Sequence, residues 1–158
     1  MHESVLAWVA TQVRRHRLSS HRTLEVGSLD VNGSVRSLFS ERYVGIDMRP
    51  GPGVDVIGTA DALPFDDDAF EVVVSTETLE HDRAFWLTMA EIRRVLQPGG
   101  HLILTTRGNG FGEHMEPSDY WRFMPESRAL LLELAGCEPV DMALDPQVPG
   151  IFIHGRRT

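Results

Sequence analysis

The stretch LEVGSLDVNGSVRSLF, Leu24 to Phe39, decides how this chain is read. An apolar run meets an acid at Glu25, a glycine follows at Gly27, and a polar segment carries a second glycine at Gly33. Val35, Leu38 and Phe39 then fall at helical spacing behind Asn32 and Ser34, both good caps. This is the pattern of a strand, a tight turn and a helix. A strand that closes on a carboxylate beside a glycine turn is a common setting for a nucleotide-type cofactor. The two glycines stand too far apart for G-x-G-x-x-G, so the dinucleotide fingerprint is incomplete.

Outward from that stretch, strands and helical patterns alternate. Val5, Trp8, Val9 and Val13 predict an amphipathic helix over about 3–15, and RYVGID predicts a second strand ending on Asp47. RPGPG follows, too rich in proline and glycine for a helix, then a short strand VDVIG and the loop TADALPFDDDAF with one helical turn. EVVVST is contiguously apolar, as a strand covered on both faces must be. Phe85, Met89, Ile92 and Leu96 mark a helix that stops at QPGG, and HLILTT is a fifth strand. PESRALLLELAG is a helix with Pro125 in its first turn and Gly136 past its end, and EPVDMALD with GIFIHGR reads as a closing strand pair. The order predicts an α/β fold with a mainly parallel sheet. The chain reads as one domain over 1–158, an N-terminal helix within 1–20 and a core over 23–158.

Composition narrows the function. The 158 residues are 42% hydrophobic and 24% charged, ordinary for a globular domain. The net charge of −8 argues against general nucleic-acid binding, which needs basic surface to displace counterions. No apolar run approaches the ~20 residues of a membrane span. The N-terminus lacks a signal-peptide shape, and the single cysteine, Cys137, rules out an internal disulfide framework. A cytoplasmic address is expected.

Four features fall at successive strand ends, where open α/β sheets bind ligands. They are the Glu25–Gly27 turn, Asp47 after the second strand, Asp61 in ADAL, and STETLEH after the fourth strand, which would set Thr76, Glu77 and Leu79 beneath one ligand. Asp47 could accept from two ribose hydroxyls, and Asp61 from an adenine amino group beside Ala62 and Leu63. Singly, each could equally serve a turn or a cap; their joint order is the stronger sign. Glu25, Asp30 and the bulky Leu29 crowd the place of a diphosphate, whereas a carboxylate suits a cation. A ligand with adenosine at one end and a sulfonium amino acid at the other, S-adenosylmethionine, fits better.

LEVGSLDVNG, YVGIDMRPGPGVDVIGTADALPFDDDAFEVVVSTETLEH, IRRVLQPGGHLILTT and DYWRFMPESRALLLELAGCE together resemble the class I S-adenosylmethionine-dependent methyltransferases, in particular the small type 11 group. The resemblance implies a Rossmann-like, seven-stranded, mainly parallel sheet with an antiparallel last strand, flanked by helices. It implies Glu25, Gly27 and Ser28 near the methionine part of the cofactor, Asp47 on the ribose, Met48 against the adenine, Asp61 and Ala62 on the adenine edge, and Thr76 on the floor. The sequence departs from the family turn E-x-G-x-G-x-G, since Leu29 and Val31 occupy the later glycine positions. It also lacks a helix between the second and third strands, where only Met48 to Gly53 intervene. RPGPG therefore reads as a stiff extended bypass in a trimmed fold. The sheet face beside it is a candidate for a homodimer contact.

The acceptor is expected to be a small molecule, with no nucleic acid or membrane partner. His114 and His81 are the candidate bases, since both follow strand ends on the cofactor side and imidazole takes a proton near neutral pH. Glu113, Asp119, Tyr120 and Trp121 are further candidates at the mouth, although Trp121 and Phe123 read mainly as core. His101 and His154 read as structural, and His2, His16 and His21 as remote from the mouth. No metal site is assigned: Glu113, His114 and Asp119 reach a 2-His-1-carboxylate set only if His81 joins them. The alternatives to a methyltransferase are a non-catalytic cofactor-binding or scaffold protein, and a nicotinamide-dependent oxidoreductase.

Overall fold

A computed structural model describes residues 2–115 and 118–158. Its seven strands are β1 (Thr23–Val26), β2 (Tyr43–Asp47), β3 (Val56–Ile57), β4 (Phe70–Thr76), β5 (Leu96–Arg107), β6 (Cys137–Leu144) and β7 (Gly150–Arg157). They form one sheet in the order β3-β2-β1-β4-β5-β7-β6. The first five pair in parallel, and β7 runs antiparallel between β5 and β6. The expected sheet, with its reversed final strand, is the one observed.

Contiguous apolar strands follow from covering both faces. Val72 and Val74 of β4 join one cluster with Val5, Val9 and Val13 of helix α1 (Glu3–His16). Val73, between them, points to the other face, where Met89, Ile92 and Val95 of α2 (Phe85–Val95) and Leu131 and Leu132 of α3 (Ser127–Leu134) pack. Each fully buried aliphatic side chain in these layers contributes about 1.5–3 kcal/mol.

Three local expectations are corrected. The helix predicted after β1 is a single 3-10 turn, Arg36–Leu38. Asp30 Oδ1 accepts from the Gly33 amide at 2.7 Å and Ser34 Oγ from the Arg36 amide at 3.0 Å, so side chains take up backbone donors that a helix would have used. QPGG does not separate α2 from the fifth strand; β5 begins at Leu96 and absorbs it through a register shift opposite Phe70 and Val72. Leu79 of STETLEH is fully buried in the core beneath α2 instead of facing a ligand.

Candidate active site

The turns that follow β1, β2, β3 and β4 converge at the carboxyl ends of the strands. Between them lies a cavity of about 480 Å³, within the range of small-molecule sites. Glu25, Gly27, Ser28, Asp47, Met48, Asp61 and Thr76 all line it. Ala62 does not: it is exposed, one residue beyond the lining that Ala60 and Asp61 supply.

The β1 turn is fixed by close approach. Gly27 has φ +80°, and a Cβ there would stand 2.2 Å from Thr78 Oγ1. The amides of Gly27 and Ser28 both donate to the Ile46 carbonyl, at 3.0 and 3.1 Å. Asp47 is held in turn by the Leu29 amide on Oδ2 at 3.2 Å and the Arg49 amide on Oδ1 at 3.0 Å. Each carboxylate oxygen keeps a further lone pair for a ligand hydroxyl.

The altered glycine turn is braced from outside. A Cβ on Gly51 would meet Leu29 Cδ1 at 2.4 Å, so the Leu29 side chain lies against the RPGPG segment. The Asp30 amide donates to the Pro52 carbonyl at 2.8 Å, and a Cβ on Gly53 would meet the Ser28 carbonyl at 2.5 Å. RPGPG is thus a buttress of the turn after β1 as well as the expected bypass.

Glu25 is 3% exposed and accepts a 2.6 Å hydrogen bond from the Tyr43 hydroxyl. Burial pushes its carboxyl up to about 7, with Asp30 and Asp47 adding and Tyr43 and Arg36 opposing. Glu25, Asp47, Asp61, Glu77 and Asp82 face the cavity against Arg49 and Arg83. This wall favours a cationic ligand over a diphosphate. Met48 and Asp61 are exposed, so this end of the cavity is open to solvent.

At the other end stand His81, His114, Ser118 and Tyr120. His81 Nε2 and His114 Nε2 are 3.1 Å apart, and His81 Nδ1 contacts the Ser118 carbonyl. Asp119 accepts from the His114 amide at 2.9 Å and is clamped by Arg122. Burial, followed by the neighbouring His81, holds the His114 imidazole below its ordinary range. Phe123 is buried as expected, but Trp121 lies at the surface, its indole N–H donating to the Asp82 carbonyl at 2.7 Å. Glu116 and Pro117 of this segment lie outside the described residues.

His2 also lines the cavity, contrary to the sequence reading, because α1 starts on the mouth side with His2 edge-on to Phe111. Sequence reasoning also missed a buried triangle under the floor. Arg107, with no exposed side chain, pairs with Glu77 and with Asp145, the latter at 3.0 Å. Its one outward sign was an arginine closing an otherwise uncharged strand, HLILTTR. Glu77 holds its place with φ 54°, a strained value for a non-glycine residue.

The sequence profile described as "Methyltransferase domain" matches residues 17–104. The chain belongs to that methyltransferase domain family. A phthiotriol/phenolphthiotriol dimycocerosates methyltransferase of Mycobacterium leprae is 37% identical over 108 residues, 59% of this chain and 39% of that protein. The chain thus matches about two fifths of the length of such relatives. Among solved structures, a Burkholderia thailandensis 1,6-didemethyltoxoflavin-N1-methyltransferase with bound 1,6-didemethyltoxoflavin and S-adenosylhomocysteine superimposes with TM-score 0.79 at 19% identity. That match covers 99% of this chain and 79% of the other. The YcgJ protein of Bacillus subtilis aligns over 99% of both chains, with TM-score 0.76 and 16% identity. These structural likenesses establish the methyltransferase-type fold.

Proposed function

We propose that this methyltransferase domain transfers a methyl group from S-adenosylmethionine to a small-molecule acceptor. The observation that carries the reading is the single cavity joining the strand-end residues Glu25, Asp47, Asp61 and Thr76 to the histidine pair. Bound there, the cofactor supplies a methyl group made electrophilic by a sulfonium. Asp47, its carboxylate fixed by two amides, would accept from the ribose hydroxyls, and Glu25 with Gly27 and Ser28 would hold the cationic methionine end. Met48 and Asp61 would meet the adenine, with Thr76 beneath. An acceptor hydroxyl or amine must shed a proton, and an imidazole lone pair of His81 or His114 is suited to take it. The rest of the acceleration comes from holding the acceptor near and in line.

Calorimetry with S-adenosylmethionine tests the cofactor assignment. Asp47→Ala leaves two ribose hydroxyls without their charged acceptor, at about 1.5–3 kcal/mol each, so affinity should fall at least about tenfold. Unchanged affinity in a folded variant would remove the ribose role. An acceptor screen with a labelled methyl group then separates catalysis from mere cofactor binding. His114→Ala and His81→Ala should each lower turnover by roughly 10²-fold.

A further inference from the structure

The acceptor end of the cavity contains an arrangement that hydrogen bonding inside the protein leaves unsatisfied. His81 Nδ1 faces the Ser118 carbonyl, which can only accept, so the ring proton sits on Nδ1 and the Nε2 lone pair points away. His114 Nδ1, 3.6 Å from Asp119 Oδ2, is out of hydrogen-bond reach and has no partner among the described residues. The His81 Nε2 lone pair faces His114 Nε2 at 3.1 Å. Behind them is Glu80, a fully buried carboxylate. Its Oε2 accepts from the Thr106 hydroxyl at 2.6 Å, while Oε1 has no hydrogen-bond partner among the described residues. A carboxylate oxygen of Glu80 and one ring nitrogen from each histidine lie within 4.8 Å of one another. An unpartnered buried carboxylate oxygen and two imidazoles converge on one point, a setting that suits a cation.

We propose that Glu80, His81 and His114 bind a divalent first-row transition-metal ion. Two imidazoles and one carboxylate form the donor set of open, catalytic zinc sites and of non-haem iron sites, each of which leaves positions for a further ligand. The bite fits: at metal–nitrogen distances of about 2.0–2.1 Å, two imidazole nitrogens on a tetrahedral ion are separated by roughly the spacing seen here. The supports fit as well. Ligating histidines usually give their second ring N–H to a carbonyl or carboxylate, as His81 gives to Ser118. Thr106 anchors the other oxygen of Glu80. Because His81 and His114 line the cavity and Glu80 lies behind them, the open positions face the place of the methyl acceptor. That ion would take an oxygen or nitrogen donor of the acceptor. This consequence rests on the methyl-transfer reading; the binding of the ion does not. With the ion bound, the two imidazoles hold metal instead of taking a proton, and a coordinated acceptor hydroxyl loses its proton to solvent.

The test uses the full chain, stripped with a chelator and then titrated with Zn²⁺ by calorimetry and with Co²⁺ by visible absorption. One ion per chain is expected, with the absorption of a low-coordinate cobalt site. Glu80→Gln and His114→Asn should each weaken binding at least about tenfold, with folding monitored by circular dichroism. Failure to bind either ion, or binding that neither variant weakens, would overturn the proposal and leave a proton shared between the two imidazoles. S-adenosylhomocysteine affinity, measured on stripped wild type and on Glu80→Gln, should be the same in both. No binding of S-adenosylhomocysteine to wild type, whether stripped or metal-loaded, would sink the cofactor reading while leaving the metal result intact.

Discussion

Glu25 shows what burial does to a single carboxyl. Its folded value of about 7 lies above the ordinary 4.5, so the neutral acid is the form the fold prefers. The sign follows: the carboxyl stabilises the fold fully below about pH 4.5 and loses that contribution as pH rises through 7. Glu25→Gln should therefore raise stability at pH 8, by on the order of 3 kcal/mol, and change little at pH 4. A sulfonium or ammonium beside Glu25 favours the ionised form. Binding of S-adenosylmethionine should then release a proton at pH 6 but not at pH 8, and should tighten between them. Calorimetry in buffers of different ionisation heat reads this directly, and proton release that persists in Glu25→Gln would assign it to another group. That Asp47 and Gly27 line the cavity was legible in the sequence, because each position follows from one residue at a strand end. That Ala62 stands off the lining was not, because a one-residue offset along an irregular loop leaves no periodic trace.

Among the elements, the RPGPG connection has the largest effect for its size. Its prolines mark a chain that cannot form a helix, and that much the sequence shows. Contact with the Ser28–Asp30 turn is a tertiary fact. Gly53 has φ +86° and no room for a Cβ against the Ser28 carbonyl. Gly53→Ala should therefore displace the turn that presents Ser28 and Leu29 to the cavity, weakening cofactor binding severalfold and lowering the melting temperature together. A loss of stability with cofactor affinity retained would return the segment to a mere spacer. The same contrast explains the missing helix after β1. Val35, Leu38 and Phe39 have the right spacing, but the Asp30 and Ser34 side chains compete for the backbone in a way periodicity does not register. Helices α1 and α2 were readable because four turns and three turns of amphipathic pattern outweigh such local competition.

For the whole molecule, the antiparallel half of the sheet carries a polar seam inside the core. His154, fully buried, contacts Gln12 of α1 at 2.9 Å and His101 of β5 at 2.9 Å, and Gln12 donates to Asp141 of β6 at 2.7 Å. Burial depresses His154 to about 3 and His101 to about 4, with neighbouring imidazoles adding to both and Asp141 opposing at His154. Both values lie below the unfolded 6.5, so the unfolded chain binds more protons in between, and stability should fall steadily as pH drops from about 6.5 towards 4. Acid unfolding followed by circular dichroism should show this limb. His154→Gln should shift it to lower pH, and an unchanged limb would place the sensitivity elsewhere. Sequence order alone identified His101 and His154 as structural, since both lie within predicted strands. It could not pair them, because β7 inserts beside β5 only after the chain has passed through β6.

The buried Arg107 ties the cavity floor at Glu77 to Asp145, in the connection between β6 and β7. This gives the domain a remote adjustment screw. Lengthening or stiffening the β6–β7 connection would move Asp145, and through Arg107 the strained Glu77, while leaving the turns around Asp47 and Gly27 untouched. On the proposed reading, an engineer seeking a new acceptor could randomise this connection and keep the other turns of the cavity as a constant chassis.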